Sequence, residues 1–336
     1  MLEAGSQTSR TPDGVIADSA TPASGVDVIP RRWTYHRLNS GLIFGLTVRG
    51  VGVLPRAVSY GLGHVGTWLA WRLMTETNAA VAANLRAVMP DATDEALRRH
   101  ALETYRSYAH DTIDFLRALS ADGRELPTTF DIRREDRATF ESVLAGGKGG
   151  LIVTGHYGCW EIGGLLMRVL GLPLTVVAMA ESDPEVNRLR RETRVRMGVD
   201  TLEVRQALET ALQIRRTLGQ NRLVAMLIDR HLGRDRVQVT HFGRPAYFLH
   251  TPAVLAYLSG APLIPCFLER TGRGRFSTFA VAPIYVDRQL PRDAAIQQAT
   301  QRVADVIESR VRLNPHAWYH FYHYWDAQRG IYHGLD

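Results

Sequence analysis

The chain has 336 residues, 45% of them hydrophobic and 22% charged, with a formal net charge of +6. That is enough apolar material for one large α/β domain or two small ones with a sizeable core. Two cysteines, Cys159 and Cys266, exclude a disulfide framework, and dispersed arginines without a nucleic-acid motif exclude a nucleic-acid binder. Lys148 is the single lysine, so nearly all positive charge is arginine, whose forked guanidinium grips phosphate and carboxylate. An acidic carrier protein or a phosphorylated lipid would suit it, as would a simple compositional bias.

Residues 1–37 are rich in Ser, Thr, Gly, Pro and Asp and read as a disordered tail without the apolar run of a secretory signal. Residues 38–75 turn apolar and helical. The uncharged run Ala57–Trp71 is fifteen residues, short of the about 20 that span a bilayer, and Pro55 interrupts the segment. Trp68, Trp71 and the flanking Arg56 and Arg72 suit a helix lying on a membrane surface; a buried helix pair is the alternative. The G-x-G-x-x-G match at Gly61–Gly66 has no strand before it and is set aside as a nucleotide site. The remainder, 76–330, reads as one domain. Asp91 or Thr93 can cap a long amphipathic helix carrying Leu97, Ala101, Tyr105, Ile113 and Leu116.

From about residue 127 strands and helices alternate. Strands are expected at 130–132, 151–154, 174–180, 201–204 and 223–228, with helices at 135–144, 161–170, 184–197 and 206–218 between them. This alternation predicts an α/β fold with a mostly parallel central sheet flanked by helices, and sites beyond the carboxyl ends of its strands. A further strand (261–270), a hairpin-like segment and a helix over 291–311 follow, with Thr251 as the expected cap of a helix before them. The end, NPHAWYHFYHYWDAQRG, reads as an aromatic helix. Its His316, His320 and His323 could be metal ligands at helical spacing, but aromatic packing is the preferred reading.

The chemistry concentrates in Leu151–Gly164, LIVTGHYGCWEIGG. A short apolar strand delivers His156 into a turn, and Glu161 follows one turn inside a helix. A carboxylate reaching that imidazole would make it a general base for a hydroxyl. This stretch resembles the His-x4-Asp/Glu signature of the glycerolipid and lipid A acyltransferases, most of all the late lipid A acyltransferase group and its phosphatidylinositol mannoside acyltransferase relatives. Asn84-Leu85-Arg86 before Met89-Pro90 resembles that group too, and the likeness runs over about residues 40–325.

The resemblance implies an O-acyltransferase acting without a metal, a bound cofactor or a covalent enzyme intermediate. His156 would deprotonate an acceptor hydroxyl and Glu161 would orient it, so that losing either abolishes transfer. Among the arginines of helix 184–197, Arg194 best matches the family's arginine for phosphate or oxyanion. Asp229-Arg230, at a strand end, could order the acceptor or give His156 a second partner. Phe242-Gly243 resembles a Phe-Gly element near the acceptor, the glycine permitting close backbone approach. The implied partners are an acyl thioester of acyl carrier protein or coenzyme A, a glycolipid of phosphatidylinositol mannoside or lipid A type, and a membrane. The implied location is the cytoplasmic face of the inner membrane, peripheral or monotopic. A hydrolase using Cys159 or a serine is a second reading, although no G-x-S-x-G elbow is present and Cys159 reads as filler. A non-catalytic lipid-binding protein is a third.

Overall fold

Leu151, Ile152 and Val153 are all buried although they alternate between the two faces of one strand, so that strand must be covered on both sides. The computed structural model shows how, describing residues 50–120, 129–179, 184–196, 198–204 and 206–330. The expected tail 1–37 and the first part of the 38–75 segment lie outside these residues. The helices are α1 (Arg56–Leu73), α2 (Thr75–Val88), α3 (Asp94–Ser120), α4 (Arg134–Ala145), α5 (Gly163–Leu170), α6 (Pro184–Arg196), α7 (Ala207–Gly219), α8 (Thr251–Ser259), α9 (Arg292–Leu313) and α10 (Tyr324–Gly330). The strands are β1 (Thr129–Asp131), β2 (Gly150–Thr154), β3 (Leu174–Met179), β4 (Asp200–Val204), β5 (Leu223–Leu227), β6 (Val237–His241), β7 (Arg244–Phe248), β8 (Leu263–Gly272) and β9 (Arg275–Ala280).

Seven strands form one sheet in the order β1-β9-β8-β2-β5-β3-β4. β8, β2, β5, β3 and β4 run parallel; β9 returns antiparallel to β8 and β1 pairs parallel with β9. Leu151 and Val153 pack with Ile214 and Leu218 of α7, Leu255 of α8 and Val303 and Ile307 of α9. Ile152 packs with Phe115 of α3, Phe140 and Val143 of α4 and Leu165 and Leu166 of α5. The mostly parallel sheet flanked by helices is thus as the alternation predicts.

Local details refine the expected ends. Thr93 caps α3, its hydroxyl accepting the Ala96 N–H at 3.2 Å. The cap of α8 is supplied from outside: Asp235 accepts the N–H groups of His250 (2.9 Å) and Thr251 (2.8 Å) and the Thr251 hydroxyl (2.6 Å). The G-x-G-x-x-G run lies inside α1, where a side chain at Gly63 would meet Ile113 of α3 at 2.7 Å. Gly63 serves helix packing, whereas a side chain at Gly61 or Gly66 would meet nothing within 4 Å.

The largest departure is at the C-terminus. The expected aromatic helix is broken: α9 ends at Leu313, Pro315–Ala317 makes a 3₁₀ turn, and residues 318–323 run on without helix until α10. Pro315 has no N–H with which to continue α9. The broken segment finds other backbone partners. Trp318 bridges Tyr157, the Gly158 N–H donates to Ala317 O at 2.8 Å, and the Tyr319 N–H donates to His156 O at 2.7 Å.

Candidate active site at the ends of β2 and β5

β2 and β5 are neighbours, with Thr154 opposite Leu227 at their carboxyl ends. Two residues further on each chain stand His156 and Asp229. Sheet register alone therefore brings together residues 73 apart in sequence. The His156 N–H donates to Asp229 Oδ2 at 2.8 Å, and its Nδ1 lies 2.6 Å from Asp229 Oδ1. The turn between strand and histidine tolerates little. A Cβ at Gly155 would lie 2.9 Å from Asp229 Oδ2, and Gly158, at φ +62°, would put one 2.2 Å from Leu268 O.

Asp229 is fully buried, and burial alone would push its acidity down. The imidazoles of His156 and His320 outweigh that and hold its carboxyl well below the usual range. Burial lowers the pKa of His156, helped by the charge of Arg230 and opposed by Asp229. The resting pair is therefore an ionised carboxylate beneath a neutral imidazole. Since Nδ1–H donates to the carboxylate, the basic atom is Nε2. The ring keeps 16% of its surface exposed.

Glu161 is not the partner expected for this imidazole. It sits in a 3₁₀ turn, Trp160–Ile162, and accepts Arg190 Nη1 of α6 at 2.9 Å. Residues 157–159 are not helical, so the carboxylate emerges towards α6 instead of folding back on the ring. Its charge still acts on His156, after Asp229 and Arg230 in size. Arg190 and not Arg194 is the α6 arginine that pairs with Glu161. One turn further on, the Arg194 carbonyl accepts the Val199 N–H at 2.8 Å, beyond the end of α6, with Gly198 at φ +70°.

Arg230 reaches into the same region, donating to Tyr319 O at 3.2 Å with its guanidinium 5.2 Å from the Tyr322 ring. The expected Phe242-Gly243 element is a hairpin. It forms the tight turn between β6 and β7, both residues with positive φ, and the Phe242 ring packs on Trp318 (5.4 Å) and Trp325 (6.2 Å). Gly243, at φ +71°, meets the turn geometry, and no protein atom lies within 4 Å of a Cβ built on it. Beside His156 stand aromatic rings: Trp160 at 5.4 Å, Tyr319 6.0 Å from Trp160, and Tyr108 5.2 Å from Tyr319.

Cys159 is buried with its sulfur 3.6 Å from Asp111 O, and burial raises its pKa well above the ordinary thiol value. A thiol held neutral in this way is a poor nucleophile. The three C-terminal histidines do not converge on a metal. His316 stacks on His100, His323 is exposed beside Asp326, and His320 points to Asp229. Among the described residues one set of possible ligands does gather: atoms of His156, Asp229 and His320 lie within 4.8 Å of one another. Asp229 already bonds His156 Nδ1 and His320 Nε2, and a metal bound through those atoms would have to displace these bonds.

Comparison with known proteins supplies the class. The chain belongs to the bacterial lipid A biosynthesis acyltransferase family, whose model matches residues 30–326, and is accordingly an acyltransferase. It is similar to a phosphatidylinositol mannoside acyltransferase of Mycobacterium tuberculosis, 27% identical over 248 residues, covering 73% of this chain and 75% of that one. A protein of the same name from Mycolicibacterium smegmatis is 25% identical over 288 residues, covering 83% of this chain and 89% of the other.

Proposed function

We propose that the protein moves a fatty acyl chain from a thioester of acyl carrier protein or coenzyme A to a hydroxyl of a glycolipid, with His156 as general base. The acceptor O–H gives its proton to His156 Nε2 while Asp229 holds the Nδ1–H and stabilises the imidazolium. The acceptor oxygen attacks the thioester carbonyl; the oxyanion collapses, the C–S bond breaks, and the imidazolium returns its proton to the departing thiolate. Arg230, whose charge is felt at His156, is the candidate to meet the oxyanion in preference to Arg194. Glu161 acts through Arg190, which it holds beside the cleft aromatics. The 2.6 Å contact between His156 Nδ1 and Asp229 carries this reading.

The names of the relatives make a phosphatidylinositol mannoside the first acceptor to try, with a lipid A-type glycolipid second. Trp160, Tyr108 and Tyr319 offer the flat apolar faces that sugars and acyl chains both use. The setting is a membrane surface, at the cytoplasmic face of the inner membrane. Val58, Leu62, Val65, Leu69 and Leu73 form one exposed stripe along α1, with Trp68 beside it and Arg72 4.8 Å from the indole. No helix among the described residues is long and apolar enough to cross a membrane.

The test is purified protein with an acyl thioester, with and without phosphatidylinositol mannoside. Acceptor-dependent transfer that disappears in His156→Ala supports the proposal. Acceptor-independent thiol release would make the protein a thioesterase, and binding without turnover a lipid carrier.

A further inference from the structure

His320 and Asn84 remain unused by the reaction as written, yet His320 bonds its carboxylate and Asn84 bonds the backbone that carries His320. His320 is 1% exposed and lies on the non-helical stretch before α10. Its Nε2 is 2.9 Å from Asp229 Oδ2 and its Nδ1 is 2.9 Å from the Tyr322 hydroxyl. Asn84 of α2, 4% exposed, spends its whole amide on the same stretch. Its Nδ2 donates to His320 O (3.0 Å) and Tyr322 O (2.7 Å), and its Oδ1 accepts the Tyr324 N–H (3.0 Å). The Tyr324 hydroxyl then donates to Asp229 O at 2.8 Å.

We propose that His320 is a positioning residue for the acyl transfer, a neutral hydrogen-bond donor that locks the Asp229 carboxylate so that only Oδ1 is left for His156 Nδ1. This rests on the general-base reading above. An ionised carboxylate can bond only to a nitrogen that carries hydrogen, so His320 presents Nε2–H to Oδ2. Its Nδ1 is then bare and accepts the Tyr322 O–H. Every polar atom of the buried ring is satisfied in that single tautomer, without a charge. Oδ2 is filled by the His156 N–H and by His320, which prevents the carboxylate from turning. The remaining oxygen accepts from Nδ1–H and so keeps the His156 lone pair on Nε2, where an acceptor hydroxyl needs it. Asn84 fixes the stretch carrying His320, giving the asparagine of the Asn84-Leu85-Arg86 motif a physical task.

His320 stays neutral because burial lowers its pKa to about 3, against the opposing pull of Asp229. It therefore shares the carboxylate without competing for its negative charge. The groups acting on His156 are Asp229 and Arg230 after β5, Glu161 with its partner Arg190, and His320 from the C-terminal stretch. Removing the His320 bond concentrates charge on Asp229, favours the His156 imidazolium and moves the acidic limb of activity to higher pH.

The experiment compares His320→Leu, His320→Gln and His156→Ala as full-length proteins, with far-ultraviolet circular dichroism to check folding. His320→Leu should lower kcat about 10–100-fold with KM little changed, and raise the acidic limb of kcat/KM by about half a pH unit or more. His320→Gln, whose amide can place an N–H near the lost Nε2, should recover most of kcat and restore the limb. A second readout needs no variant: nitrogen-15 NMR of histidine in the wild-type protein should show His320 as the Nε2–H tautomer at neutral pH. An Nδ1–H tautomer, or a folded His320→Leu with wild-type kcat and limb, overturns the proposal. Were His156→Ala itself active, the general-base reading would fall instead, so the two failures are distinguishable.

Discussion

At the ends of β2 and β5 the backbone does the positioning, whereas in residues 318–324 side chains do it. His156 and Asp229 stand two residues beyond a paired ladder buried on both faces, so strand register places their backbones and His320 has only the Asp229 carboxylate to orient. The C-terminal stretch has no ladder beyond one bridge, at Trp318. Asn84 holds its backbone, Asp111 of α3 holds the Tyr319 hydroxyl at 2.6 Å, and Arg230 holds the Tyr319 carbonyl. A site half built by register and half by clamps should fail differently in its two halves. Changes at the strand ends should cost chemistry and leave the fold alone. Changes in the clamps should cost stability first.

The sharpest expression of the first half is His156→Ala. We expect kcat to fall about 10²–10⁴-fold, the usual contribution of a positioned base, with the melting temperature near wild type. A melting temperature lowered in step with activity would show that the pair is part of the framework. In the clamped half, Asn84→Ala leaves buried backbone groups without partners. It should cost about 1–3 kcal/mol by denaturant titration. Unchanged stability would mean that the stretch is held elsewhere.

Acid probes the same half. His241, fully buried against Phe242, Phe248 and Trp318, has its pKa lowered to about 4, chiefly by burial. The unfolded chain binds that proton first, near pH 6.5. The stability tied to a neutral His241 is therefore intact above pH 6.5 and is lost as pH falls towards 4, by up to about 3 kcal/mol. Thermal scans of His241→Phe between pH 7 and 4 should show a flatter decline than wild type; parallel curves would contradict the assignment. The smallest effect on fold and chemistry belongs to α1. Leu62→Asp with Trp68→Ser should reduce flotation with anionic vesicles several-fold and leave stability within about 0.5 kcal/mol. Undiminished flotation would remove α1 from the membrane contact.

The same contrast explains how far the amino-acid sequence could be read. Strand and helix alternation was legible from residue 127 onward because each strand is a short apolar run between polar helices, and the His156 turn announces itself by its glycines. The pairing of His156 with Asp229 was visible only as an option, since it depends on strand order: β5 lies beside β2, with β3 and β4 beyond it. Glu161 misled through its nearness in sequence, because nothing in GCWEIGG says that the turn opens towards Arg190. His320 was noticed for its spacing to His316 and His323. That spacing lost meaning once Pro315 ended the helix, and the informative signal was the proline itself. Asn84 carried a family likeness without a task until its three backbone partners were seen.

The measurement that bears most directly on the account is kcat/KM for Asp229→Asn beside Glu161→Gln, under acceptor-dependent transfer. Asp229→Asn keeps the shape but removes the charge that steadies the imidazolium, and should lose about 10²–10⁴-fold. Glu161→Gln loses one charged hydrogen bond to Arg190 and should lose about 10–100-fold. Near-normal turnover in Asp229→Asn alongside collapse in Glu161→Gln would show that the carboxylate serving His156 is the one five residues away in sequence.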